Sequence, residues 1–247
     1  MPSQIQTETV KSTAGGASLE SFRAVDERRT GKRPGVLVFH EWWGLDDHMK
    51  RRARMLAELG YTALAVDMYG DGQVAADAAE ANRLMGGLLG DLPAAEARLK
   101  ASLQKLAGDP TVDASRIGAI GYCLGGAMVL HAARLGLPLA GVVSFHGSLG
   151  SFHTPAPGSV RAKILVCHGG ADVLVPDDQV AAFKREMDAA KADYRVIVYD
   201  GALHGFTNPA ATESGKKNGL PLAYDAAVDE RSWKDMKDFF AKAFARA

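Results

Sequence analysis

The chain has 247 residues, 47% hydrophobic and 23% charged, with 29 acidic and 29 basic side chains and zero formal charge. That balance suits one soluble domain spanning residues 1–247, with a core of substantial size. It gives no sign of a nucleic-acid partner, and no apolar stretch exceeds strand length, so no membrane span is expected.

Taken in chain order, Ile5 to Val25 reads as two strands around Ala14-Gly15-Gly16-Ala17, an antiparallel hairpin on the edge of a larger sheet. Strand-length apolar runs then follow at Gly35 to His40, Thr62 to Asp67, Ile117 to Gly121, Gly141 to His146, Ile164 to His168 and Arg195 to Tyr199. Val, Ile and Leu fill both parities of these runs, as in parallel strands covered on both faces. Helical patterns lie between them at Asp47 to Leu59, Ala75 to Leu89, Ala94 to Leu106, Gly125 to Leu135, Asp177 to Lys191 and Asp229 to Phe244. Gly60 and Gly136 are placed to stop helices, and Pro176 to open one. Alternating strands and helices imply an open, twisted, mostly parallel α/β sheet with its site beyond the strands' C-terminal ends. The Ala-rich Val74 to Ala81 is either the start of a helix or part of a cap.

The most informative stretch is Gly121-Tyr122-Cys123-Leu124-Gly125, between an apolar strand and an apolar helix. It has the G-x-C-x-G form of a nucleophile elbow with cysteine in the usual serine position. Cys123 there would lie at a helix N-terminus, whose partial positive charge favours thiolate. The five residues alone are equally compatible with a buried cysteine on a glycine-rich turn. An elbow needs an acid and then a histidine, each just past a later strand. Asp172 follows Ile164 to His168, and His204 follows Arg195 to Tyr199. His204 would act as base or ion-pair partner to Cys123, and Asp172 would orient the imidazole.

The other histidines are weaker candidates. His168 reads as a buried core residue, His131 as packed inside a helix, and His40 and His146 as strand-end residues able to line a pocket. His48 and His153 carry no signal. Nothing has metal-ligand spacing, so no metal or other cofactor is expected. Cys167, mid-strand, reads as a small buried hydrophobe. With no C-x-x-C pair and only two cysteines, a reducing cytoplasm is the expected setting. Met1-Pro2-Ser3-Gln4 has no basic-then-apolar order, so no secretory leader is expected there. The backbone N–H of Leu124 and one from His40-Glu41-Trp42-Trp43-Gly44 are the natural oxyanion donors. Trp42, Trp43, Tyr69, Tyr122, Phe145 and Phe206 could wall a small apolar pocket, although core packing accounts for at least half of such aromatics.

Together, the H-E-W-W-G loop, Val66-Asp67-Met68-Tyr69, the G-Y-C-L-G-G elbow, H-G-G-A-D and H-G-F resemble the dienelactone hydrolase family of α/β-hydrolases over nearly the whole chain. The resemblance implies an α/β-hydrolase fold and a Cys123, His204, Asp172 triad that cleaves esters or lactones through a thioester. It implies that Glu41 helps switch the thiol to thiolate, with Trp42 and Leu124 N–H groups as oxyanion donors. Family members specialised for dienelactones hold the substrate carboxylate with arginines, one of them four residues past the histidine. That position is Asn208 here, and Arg83 is the candidate for a second anchor. The expected partner is therefore a small ester or lactone, handled by a monomer or homodimer without nucleic acid or membrane. A promiscuous hydrolase of aryl esters or activated phosphotriesters is the alternative enzyme, and a thiol redox sensor the non-enzyme alternative.

Overall fold

The structure, a computed structural model, describes residues 4–245. Met1-Pro2-Ser3, on which the reading of no leader partly rested, lies outside the described residues. Among the described residues, fifteen elements run in the order β1 (Ile5–Ala14), β2 (Ala17–Asp26), β3 (Arg33–Phe39), α1 (Asp47–Glu58), β4 (Thr62–Val66), α2 (Ala78–Gly90), α3 (Leu92–Ala107), β5 (Val112–Tyr122), α4 (Leu124–Arg134), β6 (Gly141–Phe145), β7 (Lys163–Gly169), α5 (Asp177–Ala189), β8 (Tyr194–Tyr199), α6 (Ala211–Asn218) and α7 (Ala226–Ala243). The strands make an eight-stranded sheet in the order β1-β2-β4-β3-β5-β6-β7-β8. The α/β class expected from the alternation is the class observed. The chain divides into two compact units, Met1–Ala119 and Ile120–Ala247.

In the first unit β1 and β2 pair antiparallel from Ile5↔Asp26 to Ala14↔Ala17. Gly15 and Gly16 both have positive φ, 55° and 73°, the tight-turn geometry whose twist matches the flanking strands. A side chain at Gly15 would also strike the Ala94 carbonyl. β2 pairs antiparallel with β4, and β3 parallel with β4. Three aspartates open the helices here: Asp46, Asp77 and Asp91 accept from Met49, Glu80 and Ala94 N–H groups, satisfying donors that a helix start leaves unpaired. Asp77 is the reason α2 begins at Ala78 and not at Ala75. Val74 instead bridges Gly44.

In the second unit β6 pairs parallel with β7, and β7 with β8. All five residues of β6 are buried, which explains its unbroken apolar run. Helix α4 packs on β6, and α7 covers β6 and β7. Gly136 ends the turn after α4 with φ 67°, as its position predicted. Helix α6 had no counterpart in the sequence reading. Its eight residues, Ala-Thr-Glu-Ser-Gly-Lys-Lys-Asn, bury only Ala211 and Gly215 and so show no apolar stripe.

Candidate active site

Four loops of the second unit carry the candidate chemistry, each beginning where a strand ends. Cys123 follows β5, His146 follows β6, Asp172 follows β7 and His204 follows β8. Parallel strands send all such loops to one edge of a sheet.

Cys123 is the N-cap of α4, with φ 51° and ψ −114°, and is half-buried. Its N–H donates to the Phe145 carbonyl at 3.0 Å, and its carbonyl accepts from Ala127 N–H at 3.2 Å. The strained φ therefore belongs to the cysteine itself. The glycines around it serve close approach. A side chain at Gly121 would lie 2.0 Å from the Gly125 carbonyl oxygen, and one at Gly126 would lie 2.7 Å from the Gly147 Cα. Leu124 is the first residue of α4, so its N–H has no acceptor within the helix.

Asp172 is buried and uses both carboxylate oxygens. Oδ1 accepts from the N–H groups of Leu174 at 2.9 Å and Val175 at 3.3 Å, while Oδ2 meets His204 Nδ1 at 2.8 Å. These bonds fix the carboxylate plane and hold the His204 ring by its Nδ1–H. His204 is also hydrogen-bonded to Cys123. With Nδ1 committed to Asp172, that bond uses Nε2. Burial, the largest single influence on His204, acts to lower its pKa; the negative charge of Cys123, the Asp172 hydrogen bond and the Cys123 hydrogen bond together raise it to about 10. The loop is held from behind, where Ala223 and Asp225 N–H groups donate to the His204 and Phe206 carbonyls.

The remaining expectations sort by burial. His168 is buried and its pKa is lowered by desolvation, as a core histidine. His131 is buried in α4 with its ring edge-on to Phe152. Cys167 is sealed from solvent and burial pushes its thiol up to about 12. Tyr199 donates its one hydroxyl proton to Asp235 at 2.8 Å, so at the 3.6 Å contact the Cys167 thiol is the donor. Tyr122 and Phe145 stack at 4.8 Å and 8°, and with Phe206 they are fully buried packing aromatics. Asn208 is buried too; its Oδ1 accepts from Ala210 N–H at 2.9 Å, a local turn leading into α6.

In the first unit the loop after β3 is tightly held. Met68 N–H donates to His40 Nε2 at 3.2 Å, so His40 is protonated on Nδ1, which donates to the Glu41 carbonyl at 2.5 Å. Burial lowers the His40 pKa and keeps it neutral. Tyr69, its ring tilted 57° to that of His40 with centroids 4.7 Å apart, donates its hydroxyl to the Trp42 carbonyl at 2.8 Å. Glu41 is buried, while Trp42 and Trp43 are half-buried with centroids 4.9 Å apart. Beneath this loop, Asp67 accepts from the N–H groups of Glu20, Tyr69, Gly70 and Gly72. Arg83, on α2, is exposed beside Glu80 and lines a cavity of about 200 Å³ with Tyr69, Asp91 and Arg98.

A sequence model of the dienelactone hydrolase family matches residues 21–244. A solved dienelactone hydrolase-like promiscuous phosphotriesterase from metagenomic libraries is 40% identical, with a TM-score of 0.89 over 98% of this chain and 99% of that one. An Escherichia coli (strain K12) protein with the provisional name carboxymethylenebutenolidase is 27% identical, covering 91% of this chain and 83% of the relative. An uncharacterized Caenorhabditis elegans protein is 38% identical over 60% of this chain and 93% of its own length. The fold is that of the α/β-hydrolases, and the protein is a hydrolase. The chain belongs to the dienelactone hydrolase family.

The structure brings Cys123, Asp172 and His204 together, three residues that the sequence singles out by their order past successive strands. The packing of His146 against the His204 loop was not legible in the sequence. Its one signal was a histidine directly before a glycine at the end of a strand.

Proposed function

We propose that the protein hydrolyses carboxylic esters or lactones of small molecules, with Cys123 as nucleophile, His204 as acid and base, and Asp172 as the group that orients His204. The observation that carries this reading is the His204 ring, bonded at 2.8 Å to Asp172 and on its other side to Cys123, with its charged form favoured. Cys123 thiolate attacks the carbonyl carbon, and the oxyanion takes a hydrogen bond from Leu124 N–H. Collapse expels the alkoxide, which receives the His204 proton, and leaves a thioester. The now neutral His204 takes a proton from water as it attacks the thioester, and release of the acid restores thiolate and imidazolium. A thiolate leaves the tetrahedral adduct easily, so activated esters, enol esters and strained lactones suit it better than amides.

From the resemblance we add Trp42 N–H as second oxyanion donor, Glu41 as the group that gates thiol ionisation, and Trp43 and Tyr69 as substrate-wall residues. Arg83 and Asn208 remain the candidate anchors for a substrate carboxylate. The local turn made by Asn208 makes it the weaker of the two. A cytoplasmic setting and action as a monomer or homodimer belong to the same proposal. Among the described residues, no helix is long and apolar enough to cross a membrane.

Purified protein should hydrolyse p-nitrophenyl acetate and butyrate, and Cys123→Ala should lose at least about 10³-fold in kcat. Full activity in that variant removes Cys123 from the mechanism. Similarity to a promiscuous phosphotriesterase favours one second reading, hydrolysis of aryl phosphotriesters at the same thiolate. Relative kcat/KM on aryl esters, lactones and aryl phosphotriesters ranks the two.

A further inference from the structure

His146, which the sequence marks as a strand-end residue able to line a pocket, has an unusual geometry. Its φ is 40°, in the left-handed region that a histidine enters at a cost. It is sealed from solvent directly after β6, and its N–H donates to the Cys167 carbonyl at 2.8 Å. The ring lies edge-on to His204 with centroids 5.1 Å apart and planes at 63°. Phe206 meets it at 5.0 Å and 82°, and Tyr122 at 6.0 Å and 49°. Its Nε2 lies 2.8 Å from the Thr207 hydroxyl, three residues beyond His204 on the same loop.

We propose that His146 is a positioning residue for His204, fixing the plane of its ring so that Nδ1 stays on Asp172 while Nε2 stays on Cys123. This rests on the reading of Cys123, His204 and Asp172 as the catalytic groups. The reason is mechanical. The bonds to Asp172 and Cys123 hold His204 at its two ring nitrogens and leave the ring plane able to turn about the line between them. A second ring wedged against it closes that motion, and the Thr207 bond ties the wedge to the loop that carries His204. A glycine at position 146 would be free of the backbone strain and would provide no wedge. The groups around His146 are Tyr122 from the end of β5, and His204, Phe206 and Thr207 from the loop after β8. Asp172 and His168, from the loop and end of β7, bear on it through their charge interactions with His204.

The test uses His146→Asn, which tolerates the left-handed backbone but removes the ring, and Thr207→Val, which keeps the ring and removes the hydroxyl. Cys123 alkylation by iodoacetamide is followed by intact mass from about pH 5 to about pH 9, beside kcat and KM on p-nitrophenyl acetate. His146→Asn should slow alkylation at the acid end about tenfold, move its pH midpoint upward and lower kcat about tenfold, with KM within about twofold. Thr207→Val should do the same to about threefold. A lower melting temperature with the pH profile and kcat unchanged in both variants would mean that His146 only packs, and would overturn the proposal. If His146→Asn does not fold, an unchanged profile in Thr207→Val overturns it alone. Alkylation needs no ester turnover, so the proposal is decided even if no ester proves to be a substrate.

Discussion

His204 holds the clearest electrostatic consequence at the scale of single residues. Its folded-state pKa, about 10, lies above the ordinary 6.5, so the stabilisation from its charged form is complete below about pH 6.5 and is lost as pH rises through about 10. Its ring resonances in an NMR titration should therefore remain those of an imidazolium through neutrality. Cys123→Ser replaces the thiol with a hydroxyl of similar shape, and should move that titration downward. An unmoved titration would show that the charge on sulfur is not what holds the proton. The sequence singles out Cys123, Asp172 and His204 by order alone: elbow, then acid, then histidine, each past a strand. It could not supply His146, because a ring's usefulness there depends on a backbone angle and on a neighbour 58 positions away in the chain.

Elements differ in what their glycines do, and the sequence does not separate the kinds. Gly86 is an exposed position inside α2 with open space around its Cα, so Gly86→Ala should raise stability by about 0.5–1 kcal/mol. Gly121 and Gly126 flank the elbow with backbone within 3 Å of any added side chain. Alanine at either should destabilise by about 1–3 kcal/mol, and should cost activity beyond that loss of fold. Urea unfolding compared across the three variants checks the sign at each. Buried strands such as β4 and β6 were legible because two covered faces demand continuous apolar residues. Strand β5 begins at Val112, earlier than its apolar run; in that polar start Asp113 accepts from the Ser115 hydroxyl at 2.7 Å and from Arg116 Nε at 2.8 Å. Helix α6 escaped notice for the opposite reason: it is fixed by contacts of Ala211 and Gly215, and neither residue type marks a helix face.

For the whole molecule, the sequence implies one domain, and strand β5 carries the chain from the first compact unit into the second. We expect one cooperative unfolding transition. Trp233 lies in the second unit, and Trp42 and Trp43 in the first. Fluorescence of Trp233→Phe, and of the Trp42→Phe/Trp43→Phe double variant, should report the same urea midpoint. Two separated midpoints would mean that the units unfold independently.

The burial of Cys167 beneath Tyr199 and Asp235 also bears on how the protein would meet oxidative stress. A sulfenic acid formed on half-buried Cys123 needs a nearby thiolate to resolve it. The chain's one other thiol is enclosed and held protonated by its surroundings. Peroxide would then leave Cys123 as a lesion repaired only by a small thiol from outside, or carried onward to the irreversible acids.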